Sequence, residues 1–191
     1  IQQQKPDLLI VEADYPSKLC KKLSRQKQHN VETGLPDLLI LPADATLPIK
    51  KLLFLLSDCG TGSEKEASWV IRLSQSRPVN VTILPVLPPV PLCYGSFLHH
   101  NLDSILVGND PLGINMRSIS NQFSRENISA NFKLREGDPF NQIRDEILLA
   151  DPDLIILPAS PRRGRKFWFS TDLAGMLFKS ITKPILVTQQ N

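Results

Sequence analysis

Long hydrophobic runs are missing from this sequence. No stretch of its 191 residues approaches the roughly 18–20 consecutive apolar positions that a membrane-spanning helix needs, which excludes such a span. Glycine is sparse, at 9 residues, and nothing recurs with the strict period of a collagen-like or coiled-coil chain. Cysteine is limited to Cys20, Cys59 and Cys93, irregularly spaced, which argues against a disulfide framework or a zinc site and fits free thiols in a reducing compartment. Charge of one sign hardly dominates: 22 Lys and Arg face 19 Asp and Glu, and a net +3 is too small to mark a nucleic-acid binder. What is there is ordinary for a globular protein, with 41% hydrophobic and 21% charged residues. The length suits one domain of common size and part of a second. Because the chain opens at Ile1 without a basic-then-apolar leader, the expectation is a piece of a longer cytoplasmic protein.

Three segments echo one another: Pro6-Asp7-Leu8-Leu9-Ile10-Val11, Pro36-Asp37-Leu38-Leu39-Ile40-Leu41 and Pro152-Asp153-Leu154-Ile155-Ile156-Leu157. Short apolar runs without alternation are the mark of strands buried on both faces, as in a parallel sheet covered by helices. From residue 52 onward strands and helices alternate. Residues 52–56, 79–86, 130–134, 153–157 and 184–187 read as strands. Between them, Ser63 and Glu66 have the spacing of a capping box, opening a helix with Ala67, Val70 and Ile71 inward. Leu112, Met116, Ile119 and Phe123 recur at helical spacing, and Asp138-Pro139 reads as an N-cap and first helical residue ahead of Phe140, Ile143 and Ile147. Leu173, Leu177 and Ile181 mark the last helix. This order predicts an α/β fold, a doubly wound five-stranded parallel sheet of Rossmann-like type with helices on both faces. Its ligands belong at the carboxyl ends of the strands, in the loops 57–62, 85–94, 136–139 and 158–172.

Residues 1–48 offer a strand, a short basic helix around Leu19 and Leu23, and a strand, too little for an independent core. Their order matches the end of the following domain, so they read as the C-terminal remnant of a preceding copy, with the complete domain over 49–191. Lys18, Lys21, Lys22, Arg25 and Lys27 form a charge run that fits the solvated side of that helix.

Four segments then carry a resemblance: the first strand ending at Asp58, Glu136-Gly137-Asp138-Pro139, Asp153-Leu154-Ile155-Ile156-Leu157, and Lys183-Pro184-Ile185-Leu186-Val187. In their order and spacing, residues 49–189, about three quarters of the chain, resemble a universal stress protein domain. Nucleotide-binding members of that family carry Gly-x-x-Gly and, further on, Gly-Ser or Gly-Thr, whose backbone N–H groups approach phosphates at a helix N-terminus. Here those positions fall on Pro158, Pro161, Thr171 and Asp172. The prolines remove N–H donors and Asp172 puts a negative charge where phosphate would sit, so ATP binding of the family type is expected to be lost. Asp58 matches the acidic residue that meets the adenosine part, or else it caps its own loop. Gly60 and Gly62 lack the Lys and spacing of a Walker motif.

The loop is basic instead, with Arg162, Arg163, Arg165 and Lys166 ahead of Phe167, Trp168 and Phe169. It reads as a solvated loop with packed aromatics, or as an anion site in which guanidinium groups replace backbone donors. Candidate ligand contacts are Asp58, Val86, Gly137, Arg162, Arg163, Arg165, Thr171 and Asp172. No catalytic or metal constellation is legible: His29, His99 and His100 lack ligand spacing, Ser63 and Ser160 lack a nucleophile elbow, and Asp58 beside Cys59 disfavours a thiolate. The expectation is a non-enzymatic regulatory module without a cofactor. By the resemblance, Leu38, Ile40, Ile185, Leu186 and Val187 form a dimer or tandem interface in which residues 38–41 lie beside 185–187, covering two apolar edges. The alternative is a sensor of ATP, AMP or a cyclic dinucleotide in the cytosolic tail of a transporter.

Overall fold

An apolar run without alternation is stable as a strand only where both of its faces are covered. The computed structural model describes residues 7–12, 36–45, 48–56, 63–75, 77–87, 89, 101–158 and 171–188. In chain order these form β1 (Leu8–Glu12), β2 (Asp37–Leu41), β3 (Lys51–Leu56), α1 (Glu64–Ser74), β4 (Asn80–Leu87), α2 (Leu102–Val107) and α3 (Pro111–Arg125). There follow β5 (Ala130–Phe132), β6 (Arg135–Glu136), α4 (Pro139–Ala150), β7 (Leu154–Pro158), α5 (Thr171–Ser180) and β8 (Ile185–Thr188). The strands lie in the order β1-β2-β8-β7-β3-β4-β5, with β6 also on β4. All neighbours are parallel except β2 and β8, which are antiparallel. The five-stranded parallel sheet of the sequence analysis is therefore present, and β1 and β2 extend it through one antiparallel seam.

β3 shows why the run is apolar throughout. Leu53 and Leu55 enter the core beneath α4 and α5, with Ile143, Ile147, Leu173 and Leu177. Leu52, Phe54 and Leu56 enter the opposite core beneath α1, α2 and α3, with Val70, Met116, Ile119 and Phe123. Each fully buried side chain of this kind contributes on the order of 1.5–3 kcal/mol.

Two local expectations differ. Residues 130–134 are not one strand: β5 ends at Phe132 and β6 resumes at Arg135, both paired with β4. The interruption falls beside Leu84-Pro85, and Pro85 has no N–H to give a ladder. The helix α2 was not legible; it is short, and its start is set by Asn101, whose Oδ1 accepts from Ser104 N at 2.7 Å. Among the described residues no helix is long and apolar enough to cross a membrane.

Candidate functional site

From β3 the chain steps to β4 and β5 on one side and returns through β7 to β8 on the other, so strand order reverses between β3 and β7. The crevice beyond the carboxyl ends of these strands is where an open α/β sheet takes its ligand. Two corners of it lie in the described residues.

The first is the β4–β6–α4 corner. Val86 pairs with Arg135 and Leu87 with Glu136, and Gly137 N donates to Leu87 O at 3.0 Å. Asp138 caps α4 by accepting from Asn141 N at 3.0 Å, and Pro139 fills the first helical position, where its lost N–H costs nothing. Glu146, buried on α4, accepts from Lys133 Nζ at 2.8 Å and from Arg135 Nη2 at 2.7 Å, which ties the strand to the helix behind it. Gly137 turns the chain with φ +131°, a region closed to L side chains, and an added Cβ would lie 3.3 Å from Gln142 Nε2. Gly137→Ala is expected to cost about 1–3 kcal/mol, measurable as a lowered urea midpoint.

The second corner is the start of α1. Ser63 occupies the N-cap position but makes no side-chain cap; its Oγ accepts from Asn115 Nδ2 of α3 at 2.8 Å, and both residues are buried. Glu66 does not close a capping box either. It lies four residues before Val70, on the inner face, and its Oε1 accepts from Thr188 Oγ1 at the end of β8. Its Oε2 has no hydrogen-bond partner among the described residues. Burial pushes the Glu66 carboxyl above its ordinary value, the bond from Thr188 offsets part of the rise, and the nearby Asp37 adds to it. The capping-box spacing misleads here because the same position faces the core, and the core contact with Thr188 prevails.

Beside this corner is the seam. β2 and β8 pair Leu38 with Val187, Leu39 with Leu186 and Ile40 with Ile185. Asp37, the first residue of β2, is buried and accepts from Trp69 Nε1 at 2.6 Å and from Lys65 Nζ at 2.8 Å, so α1 grips β2 across β8.

Comparison with known proteins bears on this arrangement. No protein-family model matches the chain, and no curated protein matches it. Many solved structures do match its backbone, among them a universal stress protein from Archaeoglobus fulgidus, with TM-score 0.59 and 12% identity over 97% of this chain and 61% of that one. The fold is that of the universal stress proteins. A putative universal stress protein from Pseudomonas aeruginosa matches with TM-score 0.56 and 13% identity over 96% of this chain and 63% of that one. A universal stress family protein from Arabidopsis thaliana with AMP bound matches with TM-score 0.50 and 14% identity over 74% of this chain and 92% of that one. The chain thus spans about three fifths of the two longer structures.

Within the universal-stress fold the candidate ligand residues are distributed unevenly. Gly137 stands at the crevice, and its neighbour Val86 sends its side chain into the core beneath α4 and α5. Thr171 and Asp172 open α5. Asp58, Arg162, Arg163 and Arg165 lie outside the described residues, as do Cys59, Gly60, Gly62, the three histidines and the basic run 18–27. Leu38, Ile40, Ile185, Leu186 and Val187 line both sides of the seam and are all buried. Glu66, Asp37 and Glu146 are buried acids that were not legible as such in the sequence. For Glu66 and Glu146 a signal existed: Glu66 is four residues from Val70, and Glu146 is three from Ile143, so each shares a helix face with a core residue. Among the described residues no group of three or more His, Cys, Asp or Glu side chains is placed to hold a metal ion.

Proposed function

We propose that this chain is a non-catalytic regulatory module of universal-stress type that works through contacts along the β2–β8 seam, with ATP binding of the family type lost. The observation that carries the reading is the seam, where two short apolar strands meet antiparallel and Asp37 locks one of them to α1. On this reading residues 1–48 are the end of a preceding copy and residues 49–191 a complete one. The seam is then the tandem or homodimer contact of a cytoplasmic protein, and no cofactor is needed. Pro158 at the end of β7 supports the loss of ATP binding, since it withholds an N–H where a phosphate loop would begin.

A second reading is favoured by Gly137, whose positive φ leaves room for close backbone approach at the crevice, and by the AMP bound to the Arabidopsis protein of the same fold. It makes the chain a sensor of ATP, AMP or a cyclic dinucleotide, with Arg162, Arg163 and Arg165 as anion contacts, in the cytosolic tail of a membrane transporter. Calorimetry with ATP, AMP and cyclic di-adenylate separates the two. No heat of binding at millimolar ligand is expected. Binding that Arg162→Ala with Arg163→Ala weakens by about tenfold or more would replace the first reading with the second.

A further inference from the structure

We infer that the free edge of β1, with the apolar strip beside it, is a docking surface for a second β–α unit of the same make as β3 and α1. The inference rests on the reading of the chain as two copies joined at the seam. A twofold axis perpendicular to the sheet through the Leu39–Leu186 pair exchanges β2 with β8, carrying Leu38 onto Ile185 and Ile40 onto Val187. The same operation carries β1 onto β7, because Leu9 pairs with Leu38 as Ile155 pairs with Ile185. Leu8, Leu9 and Ile10 thereby fall on Leu154, Ile155 and Ile156, and Asp7 on Asp153, in agreement with the repeated Pro-Asp-Leu.

The two matched strands differ in what lies on their outer edge. β7 is paired there with β3, Leu154 with Leu52 and Ile156 with Phe54, and Asp153 Oδ2 accepts from Lys50 N at 2.7 Å and Lys51 N at 2.9 Å. No strand lies on the corresponding edge of β1 among the described residues. Asp7 O accepts from Asp37 N, so strand alternation turns the N–H and C=O groups of Leu8 and Ile10 outward, as it turns those of Leu154 and Ile156 toward β3. Exposure follows: Ile10 is 58% exposed and Leu9 42%, while Ile155 and Ile156 are both 0%.

The face of β1 and β2 on the α1 side is only partly covered: Leu8, Leu39 and Leu41 are half-buried there and Ile10 is exposed. Leu8, Leu39 and Leu41 line an apolar cavity of about 320 Å³ together with Trp69 and Leu73 of α1 and with Leu186 of β8. The same axis that carries β1 onto β7 sets the counterpart of α1 over this strip. The occupant is therefore an apolar strand parallel to β1, its first N–H groups on the Asp7 carboxylate, followed by an amphipathic helix over Leu8, Ile10, Leu39 and Leu41. Recognition of this kind takes its affinity from main-chain ladder bonds and its selectivity from alternate side chains. A paired edge also removes the exposed apolar strand that the chain otherwise presents to solvent.

The test is amide hydrogen exchange of the 191-residue chain with a synthetic peptide of residues 49–75, which are its own β3–α1 unit. Saturating peptide is expected to slow exchange at Leu8 and Ile10 by roughly tenfold or more. Ile10→Lys, at an exposed position, is expected to abolish that protection, and Asp7→Ala to weaken peptide binding several-fold. Leu148→Lys, on the equally exposed outer side of α4, is expected to change neither. Unchanged exchange at Leu8 and Ile10 with peptide at millimolar concentration overturns the inference. So does protection without peptide in a sedimenting dimer that Ile10→Lys dissolves, which would make a second copy the occupant. If the amides of Leu38 and Ile40 exchange freely in the unmodified chain, β2 and β8 are not paired and the seam reading itself has failed. If the seam holds and the peptide does not bind, only the docking inference has.

Discussion

Replacing Asp37 by alanine is expected to lower the stability of the chain by about 3 kcal/mol, which at this length moves the thermal midpoint down by roughly 6–12 °C. Asp37 is buried at the start of β2 and receives two donors from α1, Trp69 Nε1 and Lys65 Nζ. Alanine leaves the indole N–H without its acceptor, at a cost of about 1–3 kcal/mol. The Lys65 side chain is 37% exposed and its ammonium can turn to water, so its share is the smaller one. Asp37→Asn keeps an oxygen for Trp69 and loses only the attraction for Lys65, so it is expected to lie between wild type and alanine. Urea denaturation of the three proteins checks the order. Hydrogen exchange locates the effect, since protection in the alanine variant should fall first at Leu38 and Ile40, across from β8. Equal stability of all three would mean that α1 contributes nothing to holding β2.

Glu66→Gln is expected to make the chain more stable above neutral pH, by on the order of 1–3 kcal/mol, and to leave it unchanged in acid. Burial raises the folded-state pKa of Glu66 above its ordinary 4.5, whereas the unfolded chain ionises near that value. Between the two, the folded state holds a proton that the unfolded state has released. Stability from this group is therefore fully present below the unfolded pKa and is lost as pH rises through the folded one. Two charged groups face the carboxyl: Asp37, which opposes its ionisation, and Lys65, which favours it. Glutamine keeps an oxygen for Thr188 Oγ1 and cannot ionise, so its curve should be flat where the wild-type curve falls. Other groups contribute to both proteins alike. Asp151, whose carboxyl is held below its usual range by Lys183, works in the opposite sense, losing its contribution as pH falls, and cancels in the difference. Urea midpoints at acid and mildly alkaline pH for both proteins settle the matter, and parallel curves would show that Glu66 is solvated after all.

Much of the architecture was legible because its signals are local. β3, β7 and β8 could be read as doubly covered strands from their unbroken apolar runs. The start of α4 could be read from Asp138-Pro139, since cap and helix lie within one turn of chain. α3 followed from the spacing of Leu112, Met116, Ile119 and Phe123, all of which are buried. The division of residues 130–136 into β5 and β6 was not legible, because the break answers to Pro85 on a neighbouring strand. The candidate site was harder still. Ser63 and Glu66 carry the spacing of a capping box, yet one bonds Asn115 and the other Thr188, partners 52 and 122 residues away.

By itself, then, the sequence determined most of the elements, their order and the apolar faces they bury, α2 and the β5–β6 break excepted, because propensity, capping and periodicity act over a few residues of chain. It also determined that the strands near residues 8, 37 and 154 are versions of one motif. Only the tertiary structure decided what those motifs meet. Two nearly identical Pro-Asp-Leu starts end in different company: Asp153 caps the start of β3, while Asp37 is enclosed between β1 and α1 and bound to Trp69 and Lys65. A carboxylate's role depends on which donors and how much water surround it, and those surroundings are assembled from segments that the chain brings together only when the sheet has formed.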